Sequence, residues 1–108
     1  MEHLNGNRLI GKTVIVTGSG SGKTGYGIGQ AIAVLFACQG AKVLVVDVNK
    51  ERGERTVDAI LDNDGIASLY LADIANSNEC ENVIKSVITN YGSLDVLINN
   101  VGIGGFSL

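Results

Sequence analysis

The stretch Thr13-Val-Ile-Val-Thr-Gly-Ser-Gly-Ser-Gly-Lys-Thr-Gly-Tyr-Gly-Ile-Gly29 constrains this chain most: an apolar β-branched run breaks into glycines and re-emerges as the start of a helix. β-Branched residues pack well on a pleated surface, so the run predicts a buried strand, Thr13–Thr17. Glycines let the backbone that follows take positive φ and approach a ligand closely. The N-terminus of the next helix then offers free N–H groups and the positive end of its dipole to an anion. Together these features describe a cradle for phosphate.

The rest of the chain repeats the alternation of apolar run and amphipathic stretch. Residues 28–39 read as a helix ended by Gly40, and Lys42–Asp47 as a second buried strand. A polar helix over 50–63 follows, with Asn49 as its cap and Val57, Ile60 and Leu61 on one face, closed by the turn Asn63-Asp64-Gly65. A third strand covers Ile66–Leu71. Asn76-Ser-Asn-Glu79 has the spacing of a capping box, and the helix behind it aligns Val83, Ile84, Val87, Ile88 and Tyr91 before Gly92 ends it. A fourth buried strand is expected over 95–99.

This order, βαβαβαβ, requires parallel strands joined by helical crossovers, and strands apolar on both faces require helices on both sides of the sheet. The expected fold is therefore α/β, the first half of a Rossmann-type doubly wound parallel sheet with strand order 3-2-1-4. At 108 residues the chain reads as one domain over 1–108 with no boundary or linker, a partial unit rather than a complete enzyme.

The net charge of −3 and the scatter of the eight basic residues supply no cationic field, which argues against nucleic acid or an anionic membrane as partner. The start, Met1-Glu-His-Leu-Asn-Gly-Asn-Arg8, has no apolar signal core, and no apolar run reaches membrane-spanning length, so a soluble, cytoplasmic protein is expected. Cys38 and Cys80 fall in the expected helices without a second Cys or His at ligand spacing. They read as reduced thiols rather than a disulfide or a metal site. His3 lies near a terminus and receives no role.

In a sheet of this kind the ligand lies beyond the carboxyl ends of the strands. The residues there are the glycine-rich segment from Gly18 to Gly29, Asp47, Asp73 with Ile74, and Asn99-Asn-Val-Gly102. A carboxylate at the end of the second strand is the group that accepts from the ribose hydroxyls of a dinucleotide, and Asp47 fills that place.

Thr17-Gly18 with Gly27-Ile28-Gly29, Val46-Asp47, Ala72-Asp73-Ile74, and Tyr91-Gly-Ser-Leu-Asp-Val-Leu-Ile-Asn-Asn-Val-Gly102 resemble the short-chain dehydrogenases/reductases over nearly the whole chain. The resemblance implies that Gly18, Gly27, Ile28 and Gly29 hold the pyrophosphate of a nicotinamide dinucleotide. Asp47 would hold the adenosine ribose, Asp73 and Ile74 would touch the adenine, and Asn99, Val101 and Gly102 would support the sheet beside the cofactor. Two departures from the family accompany the likeness. Its turn is Thr-Gly-x-x-x-Gly-x-Gly, whereas eight residues, 19–26, separate Gly18 from Gly27 here, five more than the pattern has. Either Gly18, Gly20 and Gly22 make the tight turn, or Gly27-Ile28-Gly29 opens the helix; Gln30-Ala-Ile-Ala33 favours the latter. Val101 stands where the family has alanine.

The second departure concerns catalysis. The family uses a Ser and a Tyr-x-x-x-Lys pair, yet Tyr26, Tyr70 and Tyr91 are followed at that spacing by Gln30, Ile74 and Asp95. No catalytic residue is assigned, and these residues alone are expected to turn over no alcohol or ketone. The leading expectation is the cofactor-binding portion of an oxidoreductase, with NAD preferred to NADP because the Asp47 carboxylate repels a 2′-phosphate. Lys23, Lys50 and Arg52 are the basic groups that would offset this repulsion. The alternatives are a non-catalytic nucleotide-binding or interaction protein, and an ATP- or GTP-binding P-loop domain. For the last, Gly20-Ser-Gly-Lys-Thr24 lacks the first glycine of Gly-x-x-x-x-Gly-Lys, since Thr17 occupies its position. Strand order 3-2-1-4 also puts the fourth strand on an edge, so self-association or pairing with further chain is expected there.

Overall fold

Parallel pairing organises the molecule, because it leaves both faces of the central strands to be covered by helices. In the computed structural model, residues 6–18, 28–73 and 76–99 are described. Among them the elements run β1 (Thr13–Thr17), α1 (Ile28–Cys38), β2 (Lys42–Asp47), α2 (Lys50–Asp62), β3 (Ile66–Leu71), α3 (Ser77–Tyr91) and β4 (Val96–Asn99). The strands form one parallel sheet in the order β3-β2-β1-β4, a Rossmann-like α/β fold as the alternation predicts. Among the described residues, no helix is long and apolar enough to cross a membrane.

Alternation along each strand sorts its side chains between two cores. Val14 and Val16 of β1 and Val43 and Val45 of β2 pack with Ala33, Val34, Ala37 and Cys38 of α1 and with Ile60 of α2. On the opposite face Ile15, Leu44 and Val46 meet Val83 and Val87 of α3. Helices thus cover both faces, with α1 and α2 on one side and α3 on the other. The outer strands are less enclosed. In β3 both terminal residues are exposed, and in β4 Leu97, level with the fully buried Ile15, is 48% exposed.

The helix ends follow their capping chemistry. Asn49 accepts a hydrogen bond from the Arg52 N–H through its side chain, and Asn76 accepts from the N–H groups of Asn78 and Glu79. These side chains satisfy donors that have no partner within the helix. Gly92 closes α3 at φ +91°. The N-terminal segment closes the end of α1, where the N–H groups of Gly6 and Leu9 donate to the carbonyls of Cys38 and Gln39 at 2.9 and 2.8 Å.

Several boundaries and faces differ from the sequence expectation. Helix α1 stops at Cys38 and α2 at Asp62, one residue short in each case. Strand β4 starts at Val96 because Asp95 is engaged through its side chain. Its carboxylate accepts from the Thr13 N–H at 2.9 Å, and its own N–H donates to the Thr13 carbonyl. In α2 the buried face is Gly53, Thr56 and Ile60, while Leu61 is 49% exposed. In α3, Ile88 leaves the expected stripe and is 50% exposed, with Val83 and Val87 carrying the packing.

Gly40 shows why the end of α1 needs glycine. Its φ is +96°, and an added Cβ would lie 2.6 Å from the Ile10 side chain and 3.2 Å from the Ile10 backbone. An L-residue there is strained before any clash is counted. Gly40→Ala is expected to lower stability by about 1–3 kcal/mol, read as a drop in the urea midpoint without a change in slope.

Candidate functional site

The carboxyl ends of the strands come together along one end of the sheet. β1 lies between β2 and β4, with Thr17 level with both Val46 and Asn99, and Asp47 is level with Leu71 of β3. Backbone hydrogen bonds carry the ladder beyond the strands: the Gly18 N–H donates to the Val46 carbonyl at 2.9 Å, and the Ala72 N–H to the Asp47 carbonyl at 3.1 Å. The structure therefore gathers Gly18, Asp47, Asp73 and Asn99 from four different segments at one rim. Gly29 lies in the first turn of α1, which starts at Ile28. Gly27, Ile74, Val101 and Gly102 lie outside the described residues.

Gly18 ends β1 at φ +61°, in the left-handed region, so the chain turns sharply as it leaves the sheet. That conformation favours glycine and lets the backbone pass close to a guest. One strand away, the Asp47 side chain is only 3% exposed. A carboxylate so deeply placed needs hydrogen-bond partners and a compensating charge. Its Oδ1 accepts from the Asn49 N–H at 2.9 Å and from Arg52 Nη2 at 3.3 Å. The first of these contacts closes the short turn between β2 and α2. The second is an ion pair with the first turn of the helix.

Asp73 follows β3 and is exposed. Its carbonyl accepts from the Asn76 N–H at 2.9 Å, forming a tight turn, and its N–H donates to Glu79 Oε1 at 2.7 Å. Glu79 belongs to the expected capping box, but its carboxylate reaches past Asn76 to Asp73. The Asn76 N–H already serves the Asp73 carbonyl, and the Glu79 carboxylate takes the Asp73 N–H instead. Glu79 thus ties the segment after β3 to the start of α3. The spacing Asn76-x-x-Glu79 points to this glutamate, though to a different partner. The Arg52–Asp47 pair has no such local signal, because it bridges a strand end and a helix turn.

Of the tyrosines, Tyr70 and Tyr91 lie among the described residues and Tyr26 outside them. Tyr91 ends α3, and its hydroxyl shares a 2.5 Å hydrogen bond with Ser68 Oγ in the middle of β3, away from the carboxyl rim. Tyr70 packs beside the core beneath α3. The described rim brings together a left-handed glycine turn and two carboxylate residues, Asp47 and Asp73.

Comparison with known proteins places this geometry. The family model for short chain dehydrogenases matches residues 12–108. Short-chain dehydrogenase reductase 5 of Arabidopsis thaliana is 43% identical over 101 residues, covering 93% of this chain and 36% of that protein. A hydroxysteroid dehydrogenase structure from Escherichia coli superposes with a TM-score of 0.80 at 36% identity, over 96% of this chain and 41% of the other. A chain from Haemophilus influenza crystallised with NAD bound gives a TM-score of 0.79 at 25% identity, over 94% of this chain and 34% of that one. This chain spans about a third of the length of the curated relatives it matches. A parallel sheet in this order, with these residues at its carboxyl rim and this match along residues 12–108, belongs to the short chain dehydrogenase family.

Proposed function

We propose that this chain holds the adenosine and pyrophosphate portions of a nicotinamide dinucleotide, as the cofactor-binding part of a short-chain dehydrogenase/reductase. The observation that carries the reading is the buried Asp47 carboxylate at the end of β2, one strand from the left-handed turn at Gly18. A ribose brings two adjacent hydroxyl donors, which a carboxylate at this position accepts. The backbone around Gly18 and the start of α1 would carry the pyrophosphate, with Gly27, Ile28 and Gly29 at the helix N-terminus. Asp73 and Ile74 would touch the adenine, and Asn99, Val101 and Gly102 would support the sheet beside the cofactor. When bound, the cofactor supplies hydride transfer.

Family membership and the NAD-bound structural relative both support a dinucleotide over a P-loop nucleotide. The ion pair at Asp47 argues the same way, since a carboxylate engaged by Arg52 is a poor ligand for magnesium. Binding of NADH, followed by its fluorescence, is expected to saturate and to resist competition by Mg-ATP. Mg-ATP displacing NADH at equal concentration would overturn the reading. NAD(H) is expected to bind more tightly than NADP(H), and equal affinities would remove the role given to Asp47 in that preference.

Glu79 gives this reading an internal control, because it acts on the segment after β3 without belonging to the proposed ligand shell. Glu79→Ala frees the Asp73 N–H and is expected to weaken AMP and NADH by a common factor of about five, while Glu79→Gln retains an acceptor and restores binding. Isothermal titration with both ligands measures the two factors.

The β4 edge belongs to the same reading. With Leu97 half exposed and β4 last in the strand order, the edge is suited to pairing with another strand, from further chain or a second copy. Size-exclusion chromatography with light scattering is expected to show mass rising with concentration. A constant monomer mass across the series would count against this pairing.

A further inference from the structure

We propose that the outer edge of β3 is a self-association surface, on which a second copy of this chain adds its own β3 antiparallel about a two-fold axis at Leu69.

β3 ends the strand order on the side opposite β4 and pairs with β2 in an unbroken register, from Lys42 level with Ile66 to Asp47 level with Leu71. The Ala72 N–H donates to the Asp47 carbonyl at 3.1 Å, so the backbone of Ala72 faces β2. Alternation along the strand then turns the backbone groups of Tyr70 and Ser68 toward β2 as well, and those of Ala67, Leu69 and Leu71 outward. Among the described residues, no backbone hydrogen bond from beyond the sheet meets these outward groups.

Natural edges are kept single by a charge, a proline or a bulge. Ile66-Ala-Ser-Leu-Tyr-Leu71 has none of these. Both ends of the strand are instead apolar and open, with Ile66 54% and Leu71 49% exposed. Ile88, one turn before the Tyr91 that bonds Ser68, adds a half-exposed apolar side chain from α3.

The strand itself is the occupant that fits. Its outward N–H and C=O groups call for another extended strand, and a symmetric pair engages Ala67, Leu69 and Leu71 together only when it is centred on Leu69. Leu69 then faces the partner's Leu69, and Leu71 faces the partner's Ala67, each a position where two residues exchange both N–H···O bonds. The side chains agree with this register. On the face where Ala67 and Leu69 pack toward α1 and α2, the exposed Leu71 meets a small alanine. On the α3 face Tyr70 stands opposite the partner's Ser68, again large against small. No charge from β3 enters the seam. The contact is isologous, so it closes at two copies and joins two four-stranded sheets into one.

Cysteine cross-linking tests the register on the 108-residue chain, with Cys80→Ser removing the partly exposed native thiol. The double variant Ala67→Cys/Leu71→Cys is expected to form a covalent dimer on mild oxidation, since such a pair sets its Cα atoms about 5.5 Å apart, within disulfide range. Within one chain the two positions lie about 13 Å apart, too far to bridge. Leu71→Cys alone is expected to give no covalent dimer, because position 71 also lies about 13 Å from its own copy across the axis. Light scattering supplies the second measurement. Leu71→Lys is expected to raise the dimer dissociation constant about tenfold, whereas Leu97→Lys, on the β4 edge, leaves a dimer in place. Should Leu71→Lys fail to fold by circular dichroism, Ala67→Pro removes an outward donor, spares the ladder to β2 and is expected to weaken the dimer likewise. A folded double variant that cross-links no more than Leu71→Cys alone would overturn the pairing and leave this edge to a strand of another protein. A folded Leu97→Lys chain that stays monomeric across the concentration series would overturn it too.

Discussion

Burial of the two central strands is the constraint on which everything else rests. β1 is buried along its whole length and β2 from Val43 to its end, so every backbone polar group there must be met inside the protein. The parallel ladder meets the backbone groups, and the helices on the two faces remove the side chains from water. At the carboxyl ends the ladder runs out, and the same burial then falls on Asp47. That carboxylate cannot sit beside the core without donors, which is why the turn to α2 folds its own N–H and an arginine back upon it. The shape of the rim is thus a product of core formation.

Much of this is readable in the sequence because local chemistry and tertiary demand agree. Val14 to Val16 and Val43 to Val46 are apolar without interruption, and only a strand enclosed on both faces accounts for so short a run. Asn49 and Asn76 stand immediately before amphipathic stretches, and both cap as their position implies. Gly92 and Gly40 mark helix ends by positive φ, as their places after apolar periodicity suggest.

The remainder is hidden for physical reasons. Ile88 and Leu61 share the apolar character of their neighbours, yet a helix buries only the part of its circumference that meets the sheet, and one-dimensional periodicity blurs the width of that stripe. Asp95 reads as the first residue of a strand; its carboxylate instead holds the start of β1, a contact between residues 82 apart that no local window contains. The Arg52–Asp47 pair and the Glu79–Asp73 tether span only five and six residues, yet each depends on how the end of a strand is set against the first turn of the following helix. Capping rules name the residue but not the donor it finds, because the donor depends on which N–H the preceding turn has already used.

The bond between Asp95 and Thr13 also has a temporal meaning. β1, β2 and β3 meet through crossovers that each bring together nearby parts of the chain, whereas β4 reaches β1 only by closing a loop of nearly the whole described length. Loop closure grows costlier with separation and is repaid only once the distant contact forms. The strands that lead to Asp47 and Asp73 can therefore pair with β1 and with each other at a lower closure cost than β4. Closure cost thus divides the rim into a β3-β2-β1 side made from neighbouring crossovers and a β4 side that depends on the long-range bond to Thr13.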